Sequence, residues 1–375
     1  MAAIALNASS CVRSLAKFSE CDKCEVICPT NAIVIDGALP AINFSQCVAC
    51  GGCAGVCPSE ALTLDDFSAT EFFFEFASSE EKLISCRKNV PCLSVFSVEH
   101  IIALASLKNG IVFDMGHCEG CDIAHTCQKQ IEANAEEANY VLDAMASEAE
   151  VSLQDICYME EAIEPAPEGE RRDFFRALTL KNAATAKHKF DREVEVATDA
   201  LVEHTISNDK IALLKQKGIP DKRKLLFTAL KRADKPETFH VVDATALSFT
   251  SQKLFDEELC TACQMCYRVC PTGSLSSNVR NGKIDFDPFL CIKCHICHDV
   301  CEPDALTLSD SYNIKEFFEP RVQNLVKFNV KSCNECGRLF TSIKGKDMCY
   351  QCECEEEEAK ELWGITDDMF KQGTV

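Results

Sequence analysis

The sequence predicts an α+β protein. Two related cysteine-rich units flank a small α/β module and a helical connector, and a C-terminal element carries paired cysteines. Three observations lead to this prediction. The chain has 27 cysteines among 375 residues, and nearly all fall into four groups. Two of these groups, in residues 18–65 and 257–309, repeat the order cysteines, short strand, cysteines, short strand. Between them, strand and helix patterns alternate, as is typical of α/β modules.

The composition limits the class of protein. A disulfide-rich secreted protein is usually short and carries a signal peptide. The N-terminal residues here predict neither a secretory nor a twin-arginine signal, and no apolar run is long enough to span a membrane. We therefore expect a cytoplasmic protein that is not integral to a membrane and whose thiols bind metal. The net charge of −21 argues against nucleic acid as a partner.

Three complete cysteine runs have the C-x-x-C-x-x-C-x-x-x-C spacing of [4Fe–4S] sites. They begin at Cys47, Cys260 and Cys291, and in the third run Glu302 separates the last cysteine from the usual proline. The triplets favour iron–sulfur clusters over zinc knuckles, which need only isolated cysteine pairs. The fourth cysteine of such a run ligates the neighbouring cluster.

When the fourth cysteine of each run is assigned to the neighbouring cluster, the cysteines form four cluster sites. Three of these sites have all four ligands. These are site B (Cys28, Cys47, Cys50, Cys53), site C (Cys270, Cys291, Cys294, Cys297) and site D (Cys260, Cys263, Cys266, Cys301).

Site A has Cys21, Cys24 and Cys57 but lacks a fourth thiol from its own run, because Phe18 occupies the place of the first cysteine. Cys11 is the nearest unassigned cysteine, and we predict that it completes the site. The alternative is a three-iron cluster or an open iron at site A, with Cys11 an idle thiol.

The two cysteine-rich units, over residues 9–66 and 255–310, resemble bacterial-type 2[4Fe–4S] ferredoxin domains, and the whole chain resembles a polyferredoxin. The resemblance implies the α+β ferredoxin fold and one-electron transfer at low potential. Phe18 and Glu302 depart from the family pattern. The first leaves the number of irons at site A open, and the second should matter little because the proline is not a ligand.

The α/β module is predicted from "KLISC" and "GIVFDMGHC", which resemble buried strands ending at cysteines, and from helical patterns in residues 98–108 and 123–146. Ligands collect at the carboxyl ends of parallel strands. Cys86, Cys118 and Cys121 fall at or just beyond these ends, and Cys92 lies in the loop after the first strand. Convergence of these thiols is therefore expected.

The stretches "SCRKNVPCL" and "DMGHCEGCD" resemble the small delta-type iron–sulfur subunit of methyl-viologen-reducing hydrogenases. The resemblance implies one further [2Fe–2S] or [4Fe–4S] cluster at site M (Cys86, Cys92, Cys118, Cys121), with Cys127 in reserve. The alternative is a group of buried or idle thiols.

The C-terminal "CNECGRLF" and "CYQC" place two C-x-x-C pairs twelve residues apart, and they resemble a zinc ribbon. The predicted ligands form site Z (Cys333, Cys336, Cys349, Cys352). We favour one structural zinc ion, and a rubredoxin-like iron in the same four thiolates is the alternative.

The predicted domains are residues 1–68 (first ferredoxin-like domain), 69–157 (α/β module), 158–250 (helical connector), 251–312 (second ferredoxin-like domain) and 313–375 (zinc-ribbon-like element and acidic helix). Lys222, Arg223 and Lys224 of the connector are expected on solvated helix faces, and Cys157 is expected to be buried. His117, His295 and His298 lie beside complete cysteine motifs and are expected beside the sites rather than as ligands.

No dinucleotide, phosphate-loop or nucleophile motif occurs in the chain. The sequence therefore predicts an electron-transfer subunit rather than an enzyme. It would work in a hetero-complex with an oxidoreductase such as a hydrogenase or formate dehydrogenase. The alternative is a redox-sensing or metalloenzyme-assembly factor that uses its clusters for that purpose. A third possibility is a catalytic subunit that works at an open iron, which only site A offers.

Overall fold

The computed structural model describes residues 4–159, 218–233, 235–278, 282–342 and 345–364. The helices are α1 (Val12–Leu15), α2 (Lys23–Val26), α3 (Gly52–Val56), α4 (Ala69–Ser78), α5 (Val98–Lys108), α6 (Ala124–Ala144), α7 (Asp221–Arg232), α8 (Met265–Arg268), α9 (Ile296–Asp299), α10 (Lys315–Phe318) and α11 (Tyr350–Trp363). The strands are β1 (Ile4–Leu6), β2 (Ile33–Val34), β3 (Ala41–Ile42), β4 (Leu62–Leu64), β5 (Leu83–Ile84), β6 (Ile111–Asp114), β7 (Val151–Gln154), β8 (Val241–Asp243), β9 (Lys253–Phe255), β10 (Leu275–Ser276), β11 (Lys283–Phe286), β12 (Leu306–Leu308), β13 (Ser311–Asn313), β14 (Gln323–Lys327), β15 (Asn329–Ser332) and β16 (Leu339–Ser342).

The two cysteine-rich units share one pattern of strand pairing. In the first, the outer strands β1 and β4 pair antiparallel, and β2 pairs with β3. In the second, β9 pairs with β12 and β10 with β11, again antiparallel, and β14 extends the inner pair. Each unit also has one short helix inside each cysteine run, α2 and α3 in the first and α8 and α9 in the second. The repeat predicted from the sequence is therefore present in the fold.

The α/β module contains the predicted parallel sheet, in the order β5-β6-β7. The sequence explains the ends of α5. Ser97 accepts a hydrogen bond from the His100 backbone N–H and forms a capping box with that residue. Asn109 ends the helix in the left-handed conformation that asparagine tolerates. The central strand β6 is buried at three of its four residues, whereas Leu153 and Gln154 of the edge strand β7 are exposed.

The largest hydrophobic core joins parts of the chain that the sequence assigns to four segments, since it also contains Phe289 and Tyr312 of the segment 251–312. It contains the phenylalanines of α4, the sheet of the module and the inner faces of α5 and α6. Leu225, Leu226, Ala229 and Leu230 of α7 enter the same core, together with Phe317 of α10. The described part of the connector is therefore packed on the module. Residues 160–217, which make up most of the predicted helical connector, lie outside the described residues.

The C-terminal part begins with the antiparallel hairpin of β15 and β16. It continues into α11, on which the acidic tract 355–358 is exposed. Within the described ranges, no helix has the length and apolar character needed to cross a bilayer.

Candidate metal centres

The structure brings the four cysteines of site A together. Cys11 and Cys57 are buried in one small apolar cluster. The pKa of the Cys24 thiol is raised to about 12, first by burial and then by negative charge on Cys57, Cys21 and Cys11. Arg13, in the helix that Cys11 caps, donates a 3.0 Å hydrogen bond to the carbonyl oxygen of Cys21. This bond holds the loop between Cys11 and Cys21 against the rest of the site.

Site B lies beside site A in the first unit. Burial raises the pKa of the Cys53 thiol, and negative charge on Cys50, Cys24, Cys47 and Cys28 raises it further. Three of these four neighbours belong to site B, and Cys24 belongs to site A. The predicted exchange of ligands between the two runs is therefore compatible with where the thiols lie.

Sites C and D repeat this arrangement in the second unit. Burial raises the pKa of Cys266, and negative charge on Cys297, Cys263, Cys260 and Cys301 adds to the effect. Burial likewise raises the pKa of Cys294, with contributions from Cys270, Cys291 and Cys297. Each predicted set is again together in space, and Cys297 of site C lies close to site D.

Hydrogen bonds aimed at sulfur recur at equivalent places of the repeats. The backbone N–H of Ala32 donates to Cys28 Sγ at 3.1 Å, and that of Ala61 to Cys57 Sγ at 3.2 Å. In the second unit the N–H of Leu275 donates to Cys270 Sγ at 3.4 Å. N–H groups directed at thiolate sulfur stabilise its negative charge and tune cluster potentials. Within the described residues, Cys301 Sγ accepts no backbone hydrogen bond of this kind. Cys301 is the cysteine that is followed by Glu302 instead of the usual proline.

In each of sites A to D burial raises the pKa of at least one thiol, as at Cys24, Cys53, Cys294 and Cys266, and this fits ligands held by a metal core better than free thiolates. Burial alone disfavours the thiolate, whereas bound iron cations would keep the ligands deprotonated. Each of sites A to D offers four thiols and at least one backbone N–H directed at sulfur, which at site D is the N–H of Ala262 donating to Cys260 Sγ at 3.3 Å. The residues present therefore fit [4Fe–4S] clusters.

The thiols of site M meet beyond the carboxyl ends of β5 and β6. The pKa of Cys118 is raised to about 11 by burial and by negative charge on Cys92, Cys86 and Cys121. Cys127, on α6, is buried beside them. Its side chain is the main cause of the lowered pKa of the Cys92 thiol, about 6. The predicted convergence therefore occurs, with Cys127 in contact with one predicted ligand.

Site Z has the geometry of a site for a single ion. Its four sulfur atoms all lie within 4.8 Å of one another, and Cys336 Sγ is 3.8 Å from Cys349 Sγ. With metal–sulfur bonds of about 2.3 Å, a tetrahedral site has sulfur–sulfur edges of about 3.8 Å. Backbone hydrogen bonds from Cys336 and then Cys349 lower the pKa of Cys333 to about 6. Gly337 follows Cys336 with φ +71°, as the tight turn requires.

The structure corrects two expectations. Cys157 is exposed rather than buried, because β7 ends at Gln154 and the chain has left the sheet before it. Lys222 and Arg223 are buried rather than solvated, because α7 packs against α5 and presents both residues to Glu99. Lys224 is partly exposed and pairs with Asp221. The apolar spacing of residues 225, 226, 229 and 230 could have placed 222 and 223 at the head of the buried face.

The three histidines beside the motifs have partners other than metal. His117 Nε2 lies 2.8 Å from the Tyr158 carbonyl oxygen. His298 Nδ1 lies 3.0 Å from the carbonyl oxygen of Leu306, and its Nε2 contacts Lys253 Nζ. His295 lies against the ring of His298. Each of the three histidines thus contacts other protein groups near the sites, and the expectation that none of them is a ligand stays a prediction.

Comparison with known families supports the two repeats. Residues 19–61 and residues 252–302 each match a family model described as a 4Fe-4S dicluster domain. The two matches cover about a quarter of the chain, and the first begins after Cys11. No curated protein matches the chain. The chain thus contains two 4Fe-4S dicluster ferredoxin domains and a C-terminal group of four cysteines.

Proposed function

We propose that the chain is an electron-transfer protein of the polyferredoxin kind, with [4Fe–4S] clusters at sites A, B, C and D, a further cluster at site M and zinc at site Z. The observation that carries the proposal is the order of the sites. They adjoin one another in the single series M, B, A, C, D, which runs from the α/β module through both dicluster domains. Such clusters, when bound, accept and release one electron at a time.

Sites M and B are joined by Cys127. This cysteine is 2% exposed, and its thiol lies close enough to Cys92 of site M and to Cys50 of site B to be the first cause of the lowered pKa of both. The backbone also approaches closely here, since a Cβ on Gly55 of α3 would lie 2.3 Å from the carbonyl oxygen of Ser94. The module and the first dicluster domain are therefore in direct contact at these two sites.

Sites A and C adjoin across the two dicluster domains. Cys21 of site A and Cys294 of site C both pack against a buried patch formed by Val12, Val269 and Ile296. The backbone N–H of Glu20 donates a 3.0 Å hydrogen bond to Asp299 nearby. Within each domain, the pairs B–A and C–D are neighbours, as the charges felt by Cys53 and Cys266 indicate.

The two ends of the series suit contacts with partners. Site M is partly open, with Cys121 exposed at the end of the sheet. At the other end Cys263 of site D is exposed and lies close enough to Tyr350, next to site Z, to affect its pKa. The net charge of −21 favours docking on a basic face of a partner. We propose oxidoreductase subunits of hydrogenase or formate dehydrogenase type as these partners, in a cytoplasmic hetero-complex in which this chain is not itself the enzyme.

The test is made on anaerobically purified full-length protein. Four [4Fe–4S] clusters require about sixteen irons per chain, with two or four more for site M. The protein is then mixed with a limiting one-electron reductant and freeze-quenched for EPR. We expect the electrons to be shared among the clusters and returned in full on reoxidation. Iron well below sixteen, or clusters lost in one reduction cycle, would contradict an electron carrier, and the second result would favour redox sensing.

A further inference from the structure

Two buried cations lie where the dicluster domains meet. Lys222 is 3% exposed and Arg223 0%, and both pair with Glu99, which is 1% exposed. Glu99 Oε1 lies 2.5 Å from Arg223 Nε, and its Oε2 lies 3.6 Å from Lys222 Nζ. The three side chains therefore form a buried triad between α5 and the first turn of α7.

Each cation reaches the backbone of a different cluster site. Lys222 Nζ donates a 2.6 Å hydrogen bond to the carbonyl oxygen of Cys57, a site A cysteine. Arg223 Nη2 donates a 3.1 Å hydrogen bond to the carbonyl oxygen of Cys291, a site C cysteine. Arg223 also donates hydrogen bonds to the carbonyl oxygens of Phe249 and Phe289. Two adjacent residues of α7 thus contact different dicluster domains, Lys222 the first and Arg223 the second.

Stability alone does not account for this arrangement. Removing two cations and an anion from water costs several kcal/mol per ion, and apolar side chains of similar volume often stabilise a core equally well. A fourth charged residue is also close, because Glu60 accepts hydrogen bonds from the backbone N–H groups of Asp221 and Lys222. Burial raises the pKa of Glu60 and so disfavours its negative form. Glu60 therefore offsets less of the positive charge of Lys222 and Arg223. What the triad adds is charge placed beside two cluster sites in a poorly solvated interior.

We propose that Lys222 and Arg223 are positioning residues that raise the reduction potentials at sites A and C respectively, and that Glu99 opposes both. Reduction adds one electron, and so one negative charge, to a cluster, with no bond made or broken. A nearby buried cation stabilises that charge because the interior screens it weakly. The inference rests on the proposed clusters at sites A and C. Sites A and C lie on opposite sides of the junction between the two dicluster domains, and their reduction potentials can then be adjusted separately.

The test is an EPR-monitored redox titration of full-length holoprotein. The signals of sites A and C are first assigned with Cys21→Ser and Cys294→Ser. We expect Lys222→Met to reduce the equilibrium constant for reduction at site A about tenfold, a shift of about 59 mV to more negative potential for one electron. Site C should shift less in that variant. Lys224→Met is the matched control, because it removes the same charge from the partly exposed side of the same helix, and it should leave both potentials unchanged.

Two further variants separate charge from structure. Glu99→Gln should move both potentials in the positive direction, which general damage to the interface would not do. Arg223→Lys keeps the charge and should retain most of the wild-type potential at site C, whereas Arg223→Met should lower it. If the Arg223 variants do not fold, Lys222→Met and Glu99→Gln still decide the question.

Equal shifts in Lys222→Met and Lys224→Met, or a negative shift in Glu99→Gln, would overturn the inference. A wild-type protein without cluster signals at sites A and C would instead contradict the proposed function. A wild-type protein with both signals, whose potentials do not respond to Lys222→Met, would overturn only the role of the triad.

Discussion

Cys21 and Cys294 pack against the same buried apolar patch, although they belong to different dicluster domains. The patch combines Val12 of α1 with Val269 and Ile296 from the second domain. Two cluster-binding domains in one chain could be joined at any pair of sites. The apolar patch selects sites A and C as the pair that meets, and the Lys222–Glu99–Arg223 triad lies at the same junction.

Substituting Cys11 tests the fourth ligand of site A. We expect Cys11→Ala to convert one [4Fe–4S] signal into a three-iron signal and to lower the iron content by about one atom per chain, because only three thiols remain there. Iron analysis and EPR of the oxidised protein measure both effects. Cys157→Ala removes an exposed thiol outside the predicted sets and serves as the control. An unchanged spectrum of the Cys11 variant would show that Cys11 is not a ligand.

Adding one methyl group at Gly55 tests the contact between the first dicluster domain and the module. The new Cβ would lie 2.3 Å from the Ser94 carbonyl oxygen, and backbone cannot move aside as a side chain can. We expect Gly55→Ala to destabilise the protein by about 1–3 kcal/mol and to weaken magnetic coupling between sites B and M. Thermal denaturation and EPR measure these effects. Gly218→Ala, which has no heavy atom within 4 Å of the new Cβ and lies outside the cysteine sets, should change neither.

Cysteine substitutions in the module distinguish the predicted ligands of site M from Cys127. Cys118→Ala should abolish the EPR signal of the cluster at site M and leave the signals of sites A to D intact. Cys127→Ala should keep all signals, because this thiol contacts Cys50 and Cys92 without being one of the predicted ligands. If the signal of site M is lost in Cys127→Ala but kept in Cys118→Ala, then Cys127 is a ligand of site M and Cys118 is not.

Metal analysis tests site Z. We expect one zinc ion per chain, and a thiol-modifying reagent that opens the site should release it without removing iron from sites A to D. Cys336→Ala should abolish zinc binding, since three thiolates hold the ion less tightly than four. Cys354→Ala is the control outside the predicted set. Iron in place of zinc, with a rubredoxin-like absorption spectrum, would decide for the alternative metal.

His100 predicts a dependence of stability on pH. Burial, followed by the positive charge of Lys222, lowers the pKa of His100 to about 3. An unfolded chain would bind a proton at this residue below about pH 6.5 while the folded chain would not, so stability falls as the pH falls through that value. Between pH 6.5 and pH 5 the loss is about 2 kcal/mol.

His100→Gln should remove this part of the pH dependence. Denaturation of the wild-type protein and the variant is compared at pH 7.5 and pH 5, and the difference between the two proteins cancels any acid lability of the clusters that they share. We expect the wild-type protein to lose more stability than the variant on acidification. Parallel losses in both would show that His100 does not remain neutral in the folded state.

The sequence by itself determined the parts of this protein that depend on local spacing. The cysteine runs, the repeated strand pairs and the helices at residues 98–108 and 123–146 could all be predicted, because ligand spacing and apolar periodicity are properties of short stretches. The grouping of Cys11 with Cys21, Cys24 and Cys57 could be predicted by elimination, because Cys11 is the nearest cysteine that no other site uses.

Only the tertiary structure decided how these parts meet. Burial of Lys222 and Arg223 depends on a carboxylate at Glu99 and on carbonyl groups far along the chain, and charged residues at the head of a helix are solvated in most sequences. Exposure of Cys157 depends on where the sheet ends. The order M, B, A, C, D likewise follows from packing between modules, such as Gly55 against Ser94 and Val12 against Ile296. Contacts between residues distant in sequence have no fixed spacing, and for that physical reason no motif could reveal them.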